Sequence, residues 1–487
     1  MSTDADSVRP TETPTPAPQW HHAEMLDRAD PPHGLTWRGY LVQLLYVASS
    51  IEHALMVQYL FAAYSLGGEH VTGHDDARMV ARWRNLILSV AKEEMGHMLT
   101  VQNVLCLLGA PVELMRSHPR DGDWSPFRFN LERLTLTSLT RYVQAEIHDI
   151  AVIDSSYKRF LEKIHPTPGP GVLPHSEAPH VGDLYRQIIA LVSRADRIAD
   201  SEFHEDSFRY QACWDDWGRS HNYKIRPANN LDTVIKLIAD SVSEQTRADV
   251  LIERVATRQQ AVLALTRIAE QGEAAPSELA GSHFQRFWSI VVDFQAAVES
   301  REPGWVPTYC VAEDPHTVLP DDQRASSAST ITWPRSQQWA SLFNLRYGML
   351  LFYISHSFQL ARGGDDEMLR GAVVHKAFAE MYNLKAIAGI LVQLPLKSPA
   401  DKRRAGPPFQ MPPTLTLPAG SIDCWRLHGD LLRRALKLNL DLQDTTDRSC
   451  LDEELPYLRA MHQLDVKSAA WIEQLIAGHA LGGDPSP

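Results

Sequence analysis

Residues 91–111 of this chain read AKEEMGHMLTVQNVLCLLGAP. Apolar side chains recur every three or four positions through this stretch and just before it, a pattern that predicts a helix with one buried face. Glu94 and His97 lie in the middle of that face, with the spacing E-x-x-H. Residues three apart are offset by about 60° around a helix, so both side chains can reach one metal ion. Alone, such a pair more often has a structural explanation, as a surface pair or a hydrogen-bonded core histidine.

Carboxylates also interrupt the apolar faces of three further segments. The segment before this one, LLYVASSIEHALMVQYLFAAYSL (residues 44–66), carries Glu52, and a later one carries Glu146. An isolated buried carboxylate is too costly to keep ionised unless it is paired or bound to a metal. The fourth segment, IAEQGEAAPSELAGSHFQRF (residues 268–287), carries Glu270, Glu273 and His283.

Together these side chains match a known ligand pattern: two single glutamates and two E-x-x-H motifs form the dimetal sites of ferritin-like bundles. Oxygen and imidazole ligands favour iron or manganese. The predicted metal ligands are Glu52, Glu94, His97, Glu146, Glu270, Glu273 and His283. Glu273 stands where a second histidine is expected. Either Glu273 binds as a carboxylate, or His283 replaces the missing imidazole, or the second metal position is damaged. No catalytic residue is predicted beyond the ligands.

Helical periodicity dominates the rest of the chain and predicts an all-α protein. We expect helices near 35–66, 77–109, 135–163, 181–213, 231–271, 282–300, 334–361, 366–394, 422–443 and 452–481. Proline and glycine cluster between them, most densely in residues 301–333. We therefore expect a disordered or extended tail (1–34), a ferritin-like dimetal bundle (35–300), a Pro-rich linker (301–333) and a C-terminal helical region (334–487).

The composition excludes several classes of function. Acidic residues outnumber basic ones by 60 to 47, which argues against nucleic acid as a partner because phosphate binding favours a basic surface. The five cysteines include no CxxC pair, which excludes a disulfide scaffold and fits a cytoplasmic protein. The most apolar segment, residues 41–66, contains polar and charged side chains that are costly in a bilayer. We therefore expect a buried helix there, and no membrane partner.

Residues 44–66, 91–111 and 268–287 resemble the ferritin-like domain of the iminophenyl-pyruvate dimer synthase family, which includes the large imine-coupling enzymes of the violacein, rebeccamycin and staurosporine pathways. Three later stretches resemble the C-terminal portion of that family: LFNLRYGMLLFYISHSF (342–358), AEMYNLKAIAGILVQLPL (379–396) and AGPPFQMPPTLTLP (405–418). The chain is about half as long as those enzymes. The resemblance therefore implies a ferritin-like scaffold more firmly than it implies a substrate.

The leading functional hypothesis is an oxidoreductase of specialised metabolism with two iron ions, or manganese in their place. It would use O2 or a peroxide to oxidise a small, amino-acid-derived substrate. The family-specific version is the coupling of an imine received from an upstream amino-acid oxidase. The alternatives are a ferroxidase or iron-storage protein, a helical scaffold with a relict metal site, and a haem protein. The C-terminal helices could cap the bundle, line the pocket or form a homodimer interface.

Overall fold

The computed structural model describes residues 30–116, 129–146, 181–217, 250–273, 281–318, 327–444 and 454–481. These ranges contain eleven α-helices and no named strand, which confirms the all-α prediction. The helices are α1 (Trp37–Ser65), α2 (His74–Leu107), α3 (Leu136–Ala145), α4 (Val181–Val192), α5 (Trp214–Trp217), α6 (Arg258–Glu273), α7 (His283–Glu299), α8 (Pro334–Ser357), α9 (Glu367–Leu391), α10 (Ser421–Asp444) and α11 (Glu454–Leu481).

The first hydrophobic core lies among α1, α2, α3, α4, α6 and α7. Its members follow the predicted apolar faces, for example Leu45 on α1, Trp83 on α2 and Phe287 on α7. One helix of the described residues, α1, is long and apolar enough to cross a membrane by length and composition. However, 67% of its most apolar window is buried inside the protein, as expected for a core helix.

The second hydrophobic core is formed mainly by α8 to α11, with Trp339, Trp425 and Leu458 fully buried. Phe61 of α1 and Met98 of α2 also belong to it. The two long N-terminal helices therefore have one face in each core, and the C-terminal helices pack directly against the bundle that carries the predicted ligands. The domain boundaries given above stay a prediction.

Two helices are shorter than predicted. The helix expected over 181–213 ends at Val192, and short 3-10 turns follow it. The helix expected over 231–271 begins only at Arg258. Residues just before it bond to side chains of α2 instead of to their own helix: the Glu253 N–H donates to Thr100 Oγ1, and Asn103 Nδ2 donates to the Glu253 carbonyl. Residues 147–163 and 231–249 of the predicted helices lie outside the described residues.

Gly96 is required where residues 250–253 cross α2. A Cβ atom at this position would lie only 2.4 Å from the Leu251 carbonyl oxygen and from Val250 Cγ1. A glycine inside a helix costs roughly 1 kcal/mol relative to alanine, and this close crossing is what the glycine permits.

We expect Gly96→Ala to lower the free energy of unfolding by about 1–3 kcal/mol, because the added methyl group forces backbone and side chain apart. Chemical denaturation measures the change. Gly371→Ala is the matched control: it lies inside α9 with no atom within 4 Å of the added Cβ, so it should leave stability unchanged or raise it. A Gly96→Ala protein as stable as the native one would contradict the close crossing.

A pair of histidines is buried in the second core. His356 Nδ1 and His428 Nε2 are 3.0 Å apart, and the ring of Tyr353 stacks on His428. Burial lowers the pKa of His356 to about 4. Burial, with the nearby His356 and Lys376, lowers the pKa of His428 well below its usual range. Both imidazoles are therefore neutral in the folded protein.

The histidine pair should make the free energy of unfolding decrease as the pH falls. Between about pH 6.5 and 4 the unfolded chain binds protons on these histidines that the folded chain does not, so unfolding becomes easier as the pH falls. We expect His428→Phe to show a smaller loss of unfolding free energy across this range than the native protein, measured by denaturation at several pH values. His74→Phe, whose side chain is 83% exposed, is the control. An unchanged pH slope in His428→Phe would contradict the prediction.

Candidate metal centre

Five of the seven predicted ligands lie together in the bundle. They form two groups whose ligand atoms all lie within 4.8 Å of one another: Glu52, Glu94 and His97, and Glu94, Glu146 and His283. All five side chains are buried. Glu94 belongs to both groups, so the arrangement offers places for two ions that share one carboxylate. That these residues are metal ligands stays a prediction.

The local sequence sets where each ligand lies on its helix. Glu52, Glu94 and His97 lie in the middle of the long helices α1 and α2. Glu146 is the C-terminal cap of α3. His283 is the first residue of α7, directly after Ser282, whose side chain caps the helix by accepting from the Gln285 N–H.

Glu94 stands between the two histidines. Its Oε2 lies 3.0 Å from His97 Nδ1, and its Oε1 lies 3.0 Å from His283 Nδ1. Each histidine has a second carboxylate nearby: Glu52 Oε2 is 3.4 Å from His97 Nδ1, and Glu146 Oε2 is 3.5 Å from His283 Nδ1. The two imidazole rings lie 5.5 Å apart, centre to centre, with 25° between their planes. Glu94 thus presents one oxygen to each histidine, and each histidine has a second carboxylate beside it.

Two ligand atoms remain without hydrogen bonds among the described residues. Glu94 Oε1 and His283 Nδ1 are both buried and lie 3.0 Å apart as an ion pair, but they are not aligned as a hydrogen bond and have no other hydrogen-bond partner there. Buried polar atoms are normally satisfied, and such exceptions often indicate an ion or a water molecule. The residues therefore fit a metal ion at this end of the centre.

Tyrosines hold the outer oxygens of the two terminal carboxylates. Tyr185 donates its hydroxyl to Glu52 Oε1, and Tyr59 donates to Glu146 Oε1 at 2.6 Å. Each carboxylate thus has one oxygen fixed by a tyrosine and the other turned towards a histidine. A buried position with this support restricts the carboxylate to one orientation.

Each histidine also has a hydrogen-bond partner at Nε2, on the side of the ring away from Glu94. His97 Nε2 lies 2.9 Å from Gln271 Oε1, and His283 Nε2 lies 2.9 Å from Glu93 Oε2. Glu93 in turn accepts hydrogen bonds from Arg286 at 2.6 and 2.8 Å. Both imidazoles therefore turn Nδ1 towards Glu94.

The charges of the site are strongly coupled. Burial, reinforced by the charge of Glu94, raises the pKa of Glu52 to about 7. Burial opposes protonation of His97, but hydrogen bonds with Glu52 and Glu94 outweigh it and raise the pKa to about 10. Burial likewise opposes protonation of His283, but Glu94 and Glu146 outweigh it and raise that pKa well above its usual range. Since a coordinating imidazole is neutral, a metal ion must displace a proton from each histidine.

The segment 268–287 contributes different side chains to the site from those that the sequence predicted. Glu270 is exposed on α6 and does not belong to either ligand group, which corrects its prediction as a metal ligand. Gln271 faces the site instead, about 100° further around the helix. A Cβ at Gly272 would lie 3.4 Å from Glu146 Oε2. The side chain of Glu273 lies outside the described residues. The imidazole of His283 lies beside Glu94 and Glu146, where one of the alternatives requires it, and its role as a ligand stays a prediction.

Sequence reasoning missed Tyr185, Gln271 and Arg286. Gln271 lies within the quoted segment 268–287, but the motif does not distinguish it from Glu270. Arg286 lies three residues after His283, so helical spacing gave a usable signal for it. Tyr185 gave none, because a tyrosine on an apolar stripe usually indicates core packing.

The chain is similar to several known proteins. It is 26% identical over 455 residues to dichlorochromopyrrolate synthase of Lentzea aerocolonigenes, covering 85% of this chain and 39% of that protein. It is 32% identical over 144 residues to 2-imino-3-(indol-3-yl)propanoate dimerase of Chromobacterium violaceum, covering 24% of this chain and 14% of that protein. The chain thus spans less than half the length of either relative. Both names match the imine-coupling family that the sequence motifs resemble, which confirms that resemblance.

A solved structure of a ferritin-like protein from Caulobacter vibrioides is 17% identical, with a TM-score of 0.37, covering 71% of this chain and 95% of that one. A family model described as Ferritin-like matches residues 45–292, just over half of the 487 residues. That match covers the helices that carry all five clustered side chains. From this match, the chain belongs to the ferritin-like family.

Proposed function

We propose that this protein is a non-haem dimetal oxidoreductase of specialised metabolism that holds two iron ions. The observation that supports this most directly is the pair of buried ligand groups that share Glu94. Glu52, Glu94 and His97 would hold one ion, and Glu94, Glu146 and His283 the other. Carboxylate and imidazole ligands without a thiolate suit iron or manganese better than softer metals.

Bound iron would supply the path for electrons between the substrate and an O2 or peroxide cosubstrate. The protein's own residues do the remaining work. Tyr185 and Tyr59 orient Glu52 and Glu146, and the apolar residues of the first core exclude bulk water from the charged centre. Exclusion of water strengthens each electrostatic interaction in the site and protects a reactive substrate from hydrolysis.

The names of the relatives suggest the class of substrate. One of them is named as a dimerase of 2-imino-3-(indol-3-yl)propanoate, an imine of an amino-acid skeleton. We propose that this chain acts on a small imine of that class, delivered by an upstream amino-acid oxidase. Formation of one bond between two imine molecules releases two electrons and two protons. O2 can accept them to give hydrogen peroxide, or peroxide can accept them to give water.

Iron binding and imine coupling can be tested on the full chain. The protein is loaded anaerobically with Fe2+, and its iron is counted after dialysis. An L-amino-acid oxidase then supplies the imine from tryptophan or phenylalanine, with and without catalase to remove peroxide. We expect two iron ions per chain and a product of twice the imine mass less two hydrogens. Protein that binds no iron, or product formation that does not depend on the loaded protein, would overturn the proposal.

A further inference from the structure

His97 and His283 are also connected by hydrogen bonds on the Nε2 side of each ring, opposite Nδ1. Gln271 Oε1 lies 2.9 Å from His97 Nε2, and Gln271 Nε2 lies 2.7 Å from Glu93 Oε2. The same Glu93 oxygen lies 2.9 Å from His283 Nε2. Neither Gln271 nor Glu93 belongs to the two ligand groups. One chain of hydrogen bonds therefore runs from one end of the centre to the other through these two side chains.

The proton positions along this chain follow from its chemistry. Two nitrogens of Arg286 donate to Glu93, which holds the carboxylate ionised and leaves it able only to accept. Gln271 must therefore turn its amide nitrogen to Glu93 and its carbonyl oxygen towards His97. A carbonyl oxygen also only accepts, so His97 carries its proton on Nε2. His283 donates from Nε2 to Glu93 for the same reason.

We propose that Gln271 and Glu93 are positioning residues that fix Nδ1 of both histidines as the metal-binding atom and make the two ends of the centre unequal. This inference rests on the proposed function, because it concerns the ions that the centre would hold. A carboxylate behind an imidazole makes it a stronger ligand than a neutral amide does. The ion beside His283 is therefore bound more tightly than the ion beside His97.

Replacing the Gln271 amide should weaken the binding of one ion selectively. In Gln271→Leu, we expect the dissociation constant of the weaker Fe2+ to rise about 10- to 100-fold, while the tighter one changes much less. Anaerobic equilibrium dialysis of the full chain against Fe2+ alone measures both constants. Gln271→Met serves as the second variant if the leucine variant does not fold. Gln259→Leu, exposed on the same helix, is the matched control and should retain both native constants.

Removing the charge of Glu93 tests the inequality of the two ends. Glu93 Oε2 accepts from Gln271, His283 and Arg286, and Glu93 Oε1 accepts from Arg286 as well. Glutamine at position 93 keeps one acceptor oxygen and no charge, so His283 loses the carboxylate behind it. We expect Glu93→Gln to raise the dissociation constant of the tighter Fe2+, so that the two constants move closer together.

The results distinguish a failure of the positioning role from a failure of the proposed function. If the native protein binds two Fe2+ ions but Gln271→Leu and Gln271→Met leave both constants unchanged, the positioning role is overturned while the proposed function stands. A folded Glu93→Gln variant that leaves the tighter constant unchanged overturns it as well. If the native protein binds no Fe2+, the proposed function fails and this inference fails with it.

Discussion

Glu94→Gln should lose both metal ions, whereas Glu52→Gln and Glu146→Gln should each lose one. The reason is that Glu94 alone presents one oxygen to each histidine, at 3.0 Å on both sides. Glutamine keeps the shape of the side chain but provides only one oxygen and no charge, so neither ion keeps a bridging ligand. The iron content is measured after anaerobic loading with Fe2+ and dialysis. We expect no ion per chain in Glu94→Gln, one in Glu52→Gln and in Glu146→Gln, and two in the native protein.

Glu270→Gln is the matched control for this series, because Glu270 carries the same functional group on an exposed position of α6. It should retain two ions. Thermal unfolding without metal shows whether each variant is folded before its metal content is compared. A folded Glu94→Gln protein that still holds two ions would exclude Glu94 as the shared ligand.

Arg370→Met should destabilise the protein by about 3–5 kcal/mol, the largest effect on stability that we expect away from the metal centre. Arg370 is 1% exposed and donates to the Asp216 carboxylate. It also donates to four backbone carbonyls, those of Tyr210, Gln211, Ser357 and Leu360. Methionine preserves much of the side-chain volume. However, the buried Asp216 carboxylate loses one of its partners, and the four carbonyls lose the guanidinium donor. Guanidinium denaturation measures the loss.

The control for this substitution is Arg433→Met. Arg433 pairs with Asp430 one turn earlier on α10, and its side chain is 64% exposed. A pair so open to solvent contributes little, so the change should stay within about 0.5 kcal/mol. If Arg370→Met is as mild as this control, the buried arginine does not hold α5 and the residues before it against the end of α8.

Much of the fold could be predicted because it depends on local periodicity. The predicted helices 282–300, 366–394 and 422–443 correspond to α7, α9 and α10 within a few residues, since each repeats apolar side chains at helical spacing. The helix predicted over 231–271 was wrong for residues 250–257, the first described part of that range, which are not helical. There, contacts with Thr100 and Asn103 of α2 determine the backbone, and such contacts between distant segments leave no periodic signal.

The candidate site could be predicted in part for a related reason. Glu52, Glu94 and Glu146 were visible because a charged residue on an apolar stripe breaks the pattern. Gln271 was not, since its neighbours Glu270 and Glu273 offered more obvious ligand chemistry in the same motif. Only the rotation of α6 distinguishes the exposed Glu270 from the inward-facing Gln271, and that rotation is set by packing rather than by the motif.

The positions of Glu146 and His283 at helix ends have a kinetic consequence. The terminal turn of a helix opens at much lower free energy than its interior, because fewer hydrogen bonds must break together. Fraying of α3 or α7 therefore releases Glu146 or His283 long before Glu52 or His97 can leave. In the proposed centre, the ion beside His283 would therefore exchange faster than the ion beside His97, although it would be the more strongly bound at equilibrium.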